Sequence, residues 1–154
     1  MSRLEVGQKA PGFTLRDQRG EKVSLKDYSG QRVVLYFYPA DDTPGCTKEA
    51  CQFNDELKDF RNLSVTVLGV SPDDASSHVA FGKKYGLRFD LLSDPKKSVM
   101  AKYGAYGEKM MYGKKVLGVI RSTFVIGPSG KIEHAFYGVH ADGHAQKVLA
   151  RLAN

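Results

Sequence analysis

Tryptophan is absent from this chain, cysteine occurs twice, and no apolar run approaches the length of a membrane span. Each scarcity excludes something. Two cysteines among 154 residues cannot form the cross-linked framework of a small secreted domain. Together with four scattered histidines (His78, His134, His140 and His144) they do not supply the four closely spaced ligands of a structural zinc site. The first residues, Met1-Ser2-Arg3-Leu4-Glu5-Val6-Gly7, lack the apolar core of a signal peptide. No repeat, low-complexity segment or linker divides the chain, and no flavin, haem or metal motif is visible. The expectation is one domain over residues 1–154, cytoplasmic, with no membrane segment, no metal and no cofactor. Its 42% hydrophobic and 26% charged residues are ordinary for a globular chain of that size.

Charge is not scarce, but it is scattered. The net charge is +6, carried in short groups such as Lys83-Lys84, Lys96-Lys97 and Lys114-Lys115 that acidic residues interrupt. No aromatic-basic interleaving makes a base-stacking platform, so nucleic acid is not the expected partner. A solvated basic face that favours an acidic protein partner accounts for the excess.

What is present is concentrated around the two thiols. The apolar run Val33-Val34-Leu35-Tyr36-Phe37-Tyr38 leads into Pro39-Ala40-Asp41-Asp42-Thr43-Pro44-Gly45-Cys46, and a stripe of Cys46, Ala50, Phe53, Leu57 and Phe60 leaves it at helical spacing. A buried strand, a tight Pro-Gly turn and a helix, expected over 47–62, place Cys46 at a helix N-terminus. There the free N–H groups and the helix dipole favour an anion, and thiolate is the reactive form of cysteine. A free cysteine is more often merely a buried hydrophobe, but the turn, the helix start and a second thiol five residues on argue for reactivity here. On an ideal helix, residues five apart lie ~8.6 Å apart between Cα atoms, beyond the roughly 7 Å that a disulfide spans. A bond between Cys46 and Cys51 therefore requires the helix to unwind, which suits a transient bond rather than a staple.

Further along, Val65 to Val70 reads as a second buried strand, followed by a helix capped by Asp73 or Asp74 and closed by Gly86. A short strand near 89–92, a helix over 96–103, a hairpin of 123–126 with 132–137, and an amphipathic helix from about Asp142 complete the chain. Phe13 to Arg16 and Val23 to Leu25 form an N-terminal hairpin. This order gives an α/β chain of thioredoxin-like fold: a central mixed sheet flanked by helices. The first two long strands are parallel by the crossover rule, and the reactive segment lies at their carboxyl end, where such sheets bind ligands.

Pro39-x-x-x-Thr43-x-x-Cys46 resembles the active-site motif of the peroxiredoxins. Thr43-Pro-Gly-Cys-Thr-Lys-Glu-Ala-Cys51 resembles that of their bacterioferritin comigratory protein, or peroxiredoxin Q, subgroup. Gly7-x-x-Ala10-Pro11-x-Phe13, Tyr106-Gly107-Glu108-Lys109, Met111-Tyr112-Gly113-Lys114 and Gly118 to Ile126 fall in register with the same subgroup. The resemblance implies a thiol peroxidase that acts on hydrogen peroxide and organic hydroperoxides. Cys46 is then the nucleophile that becomes a sulfenic acid. Thr43 orients the peroxide, although threonine before a helix also commonly caps it. Arg121, which bottom-up reasoning would leave on the surface, becomes the forked donor that favours thiolate and binds peroxide oxygens. Glu49 either orients that arginine or favours the helix dipole. Gly45 and Cys46 offer backbone N–H groups, and Pro39 and Pro44 shape the pocket. Cys51, the sole other thiol, resolves the sulfenic acid, and the resulting disulfide is recycled by thioredoxin or glutaredoxin. Family analogy favours a monomer. The alternative is a thiol-disulfide oxidoreductase or redox-sensing protein on the same fold, which ordinarily carries Cys-x-x-Cys. A cysteine hydrolase is a weaker third reading, because no histidine sits in a motif that pairs it with Cys46.

Overall fold

A computed structural model describes residues 3–153. Among the described residues, nine strands and five α-helices follow one another as β1 (Thr14–Arg16), β2 (Lys22–Ser24), β3 (Arg32–Phe37), α1 (Pro44–Asp55), α2 (Leu57–Asn62), β4 (Val65–Ser71), α3 (Ala75–Tyr85), β5 (Asp90–Ser93), α4 (Ser98–Lys102), β6 (Tyr106–Met111), β7 (Lys114–Val119), β8 (Ser122–Ile126), β9 (Ile132–Tyr137) and α5 (His144–Ala153). Seven strands form one sheet in the order β2-β1-β5-β4-β3-β8-β9. The pairs β3–β4 and β4–β5 are parallel, whereas β8 runs antiparallel to β3 and β9 antiparallel to β8. This is the mixed sheet of a thioredoxin-like fold.

Strand β3 is the centre of that sheet, and its unbroken apolarity follows from burial on both faces. Val33, Leu35 and Phe37 face one core with Leu68, Met100, Tyr103 and Phe124. Val34, Tyr36 and Tyr38 face the other, against Ala50, Phe53, Phe60, Phe81 and Val148. Side chains such as Phe53 and Phe60 are fully buried, and each contributes about 1.5–3 kcal/mol by leaving water. The sheet carries β3 to its carboxyl end, and six residues separate it from the start of α1.

Local signals account for most boundaries. Asp74, not Asp73, caps α3, accepting the Ser77 N–H at 2.9 Å, and Gly86 closes it with φ +64°. The observed elements differ from the expected ones in where they begin and break. The helix expected from 47 begins at Pro44, because proline fits the first helical position, where no N–H is needed. It is also two helices, interrupted at Glu56 (φ −93°, ψ 4°). The stripe Cys46, Ala50, Phe53, Leu57 and Phe60 is buried across that interruption, so the hydrophobic period carries no trace of it. The expected N-terminal hairpin is present and forms an edge of the main sheet, joined to it where Arg16 pairs with Ser93. Finally, β6 and β7 form a separate two-stranded ribbon around the left-handed pair Tyr112 and Gly113 (φ +52° and +77°).

Candidate active site

Cys46 is the third residue of α1, and its side chain is buried. Pro44 has no N–H, so the free donors of the first turn are those of Gly45 and Cys46 themselves. Thr43 occupies the cap position with extended backbone (φ −95°, ψ 156°), but its hydroxyl does not cap the helix. Thr43 Oγ1 instead donates to the Ala40 carbonyl at 2.9 Å. That bond points the hydroxyl proton back into the loop and leaves its lone pairs free at the surface.

Arg121 comes from the other side of the fold. It lies in the connection between β7 and β8, and the pairing of Ser122 with Phe37 sets it beside the end of β3. Seventy-five residues from Cys46 in sequence, Arg121 donates Nη2 to Cys46 Sγ at 3.4 Å and Nη1 to Glu49 Oε1 at 2.6 Å. The fork thus engages two consecutive turns of one helix face. Gly45 permits the approach, since a Cβ there would stand 3.2 Å from Arg121 Nη2. Burial disfavours the guanidinium charge, but Glu49 and Cys46 more than compensate and hold Arg121 above its usual range. Burial pushes Glu49 up to about 7 against the pull of Arg121. Its second oxygen, Oε2, is buried without a partner. Glu49 therefore touches the arginine directly, one of the two readings that its sequence position allows.

Cys51 sits further round α1, half-buried and unbonded. Burial, and then the nearby Asp55, push its thiol above the usual value. The next residue, Gln52, ties the helix to the start of α5: it donates to Asp142 at 2.8 Å and accepts the Gly143 N–H at 2.8 Å. Behind the site, the buried His144 bonds Thr123 Oγ1 at 2.8 Å. Burial, then Lys147 and Arg121, lower its pKa to about 4, so it is neutral at pH 7. Neither Gln52 nor His144 carries a motif that assigns it to this region. Only the position of Thr123, two residues after Arg121, hinted at the second. Pro39 lies partly buried at the end of β3, and Pro44 is exposed. Among the described residues no cluster of His, Cys, Asp and Glu holds metal-ligand geometry.

The AhpC/TSA family profile matches residues 6–135. This chain is a peroxiredoxin of that family, in its Bcp or peroxiredoxin Q branch. It is 43% identical over 149 residues to peroxiredoxin Bcp of Escherichia coli, a match covering 97% of this chain and 96% of that protein. A Mycobacterium tuberculosis chain classed among the peroxiredoxins is 55% identical over 152 residues, covering 99% of this chain and 97% of its own. Among solved structures, a cysteine-to-serine variant of Xylella fastidiosa peroxiredoxin Q superposes with a TM-score of 0.92 at 38% identity, covering 99% and 98% of the two chains. The peroxiredoxin is therefore a thiol peroxidase, with a peroxide substrate and a thiol reductant. No helix among its described residues is long and apolar enough to cross a membrane.

Proposed function

We propose that this peroxiredoxin reduces hydrogen peroxide and organic hydroperoxides through a Cys46 sulfenic acid, which Cys51 resolves within the same chain. The observation that carries this reading is the Arg121 fork, which joins Cys46 Sγ to Glu49 Oε1. A fixed positive charge 3.4 Å from sulfur stabilises negative charge held there and passed on to oxygen. The thiolate attacks one peroxide oxygen, an S–O bond forms as the O–O bond breaks, and the other oxygen leaves as alkoxide or hydroxide and takes up a proton. Arg121 and the N–H groups of Gly45 and Cys46 receive the negative charge as it moves from sulfur to oxygen. Thr43 orients the peroxide, Glu49 orients Arg121, and Pro39 and Pro44 keep the pocket closed to bulk water. Cys51 then attacks the sulfenic sulfur, releasing water and leaving a disulfide. An external dithiol of the thioredoxin or glutaredoxin type reduces it. Organic hydroperoxides are included because a related bacterioferritin comigratory protein of Xanthomonas campestris, 40% identical, is described as having alkyl peroxide reduction activity. We further infer a single domain that works as a cytoplasmic monomer without a cofactor.

Mass spectrometry after one equivalent of hydrogen peroxide tests this. Loss of two hydrogens is expected, against a gain of one oxygen in Cys51→Ser. An unchanged mass, or a disulfide-linked dimer in place of the internal bond, would overturn the reading. A thiol-disulfide oxidoreductase is the second reading, and the four residues between the cysteines stand against it.

A further inference from the structure

The segment that carries Thr43 is held from behind by a buried group of charges that the chemistry above does not use. Asp41, two residues before Thr43, turns its carboxylate inward, where its side chain is 4% exposed. Oδ1 accepts the Tyr38 hydroxyl at 2.6 Å, and Oδ2 accepts the Ser77 hydroxyl at 2.8 Å and meets His78 Nδ1 at 2.7 Å. The Asp41 N–H donates to Asp73 Oδ2 at 2.7 Å, and that oxygen also accepts the Ser71 hydroxyl. His78, on α3, is fully buried, and its other ring nitrogen, Nε2, lies 3.0 Å from the Leu92 carbonyl of β5.

Both partners of the imidazole are therefore acceptors: a carboxylate and a carbonyl. The ring thus lies between the loop and β5, with one nitrogen against each. Burial alone would raise Asp41, yet the bonds from His78 and Tyr38 bring it below the usual carboxylate range.

We propose that His78 and Asp41 are positioning residues: together they clamp the loop between β3 and α1 and so fix the Thr43 hydroxyl for the peroxide. This rests on the peroxidatic reading of Cys46 and Thr43. The loop needs such a clamp, because Asp42 is held at φ +56°, a conformation unfavourable for a residue other than glycine. The outer face of the loop has only exposed contacts, from Lys84 and Tyr85 to Asp42. If the clamp loosens, the Thr43 hydroxyl loses its place while the Arg121 contact with Cys46 Sγ remains, and an alignment error of that kind slows a displacement steeply.

The test uses the full chain in a Cys51→Ser background, so that every readout belongs to Cys46. His78→Leu should slow sulfenic acid formation about 10-fold or more. Alkylation of Cys46 by iodoacetamide needs a thiolate but no aligned hydroxyl, and it should not slow. Asp41→Asn should show the same split, and it decides the matter if His78→Leu does not fold. Equal slowing of both reactions, or no slowing of either, overturns the proposal. If the Cys51→Ser parent itself forms no sulfenic acid, the Cys46 reading has failed; if the parent is fast and both variants match it, only the clamp has.

Discussion

One guanidinium connects the parts of this site. Arg121 reaches sulfur with one nitrogen and a carboxylate with the other, and a lysine ammonium in its place would be a point charge without the fork. Arg121→Ala should slow peroxide reduction by roughly 10²–10³, the usual loss when one donor to a developing oxyanion is removed. Arg121→Lys should recover only part of that, and stopped-flow rates equal to the parent would remove Arg121 from the site. Glu49 gives a prediction with a definite sign. Its folded value of about 7 lies above the 4.5 of the free group, so the folded state retains a proton that the unfolded state has lost between those pH values. Its contribution to stability is therefore fully present below about pH 4.5 and is lost as pH rises through 7. Denaturation at pH 5 and pH 8 should show the parent losing stability relative to Glu49→Gln over that interval. A constant difference would mean that the carboxyl is already ionised at pH 5.

At the scale of elements, α1 must serve two geometries. As a helix it presents Cys46 to Arg121, but it keeps the Cα atoms of residues five apart too distant for a disulfide. The oxidised chain should therefore lose helix from Cys46 to about Phe53, with amide exchange faster there and little changed in β3 and β4. The change has a natural limit. Asn54 bonds the Gly86 carbonyl and the Arg88 N–H, at 3.0 and 2.9 Å, and so holds the end of α1 to the turn after α3. Gln52, whose bonds to Asp142 and Gly143 are exposed, is the tie that must let go. Because burial and Asp55 raise the Cys51 thiol, disulfide formation should quicken with rising pH across the neutral range, as more of it becomes thiolate. A pH-independent rate would make unwinding, not thiol ionisation, the slow step. These elements were unevenly legible in the sequence. Strands β3 and β4 and the capped α3 carry their signals within a dozen residues. The interruption at Glu56 does not, because the apolar stripe passes through it unbroken, and the β6–β7 ribbon escapes because much of it packs on no core: Met110, Tyr112 and Leu117 are exposed. The site divides in the same way. The Cys46 turn is a local pattern, whereas the Arg121 contact spans 75 residues and the His78–Asp41 contact 37. Family resemblance supplied the first of these long contacts, and nothing in the sequence supplied the second.

For the whole molecule, the two half-reactions differ in what they meet. A peroxide is small and uncharged, so its encounter with Cys46 gains nothing from the net charge of +6. A protein dithiol is a macromolecule, and an acidic one is drawn to a basic surface by a field that salt screens over about 8 Å at physiological ionic strength. The lysines are scattered rather than gathered into one patch, which suits steering during encounter more than tight complex formation. Raising salt from 20 to 200 mM should accordingly slow reduction of the disulfide by an acidic thioredoxin-type partner several-fold, through the association rate, an effect of roughly the size seen for steered encounters. Sulfenic acid formation with hydrogen peroxide should stay unchanged over the same range. The comparison is internal, since one protein supplies both rates under one set of conditions. If both rates fall together, salt is acting on the site itself through Arg121. If neither falls, the basic surface serves solubility alone, and the reductant recognises the unwound α1 by contact rather than by charge.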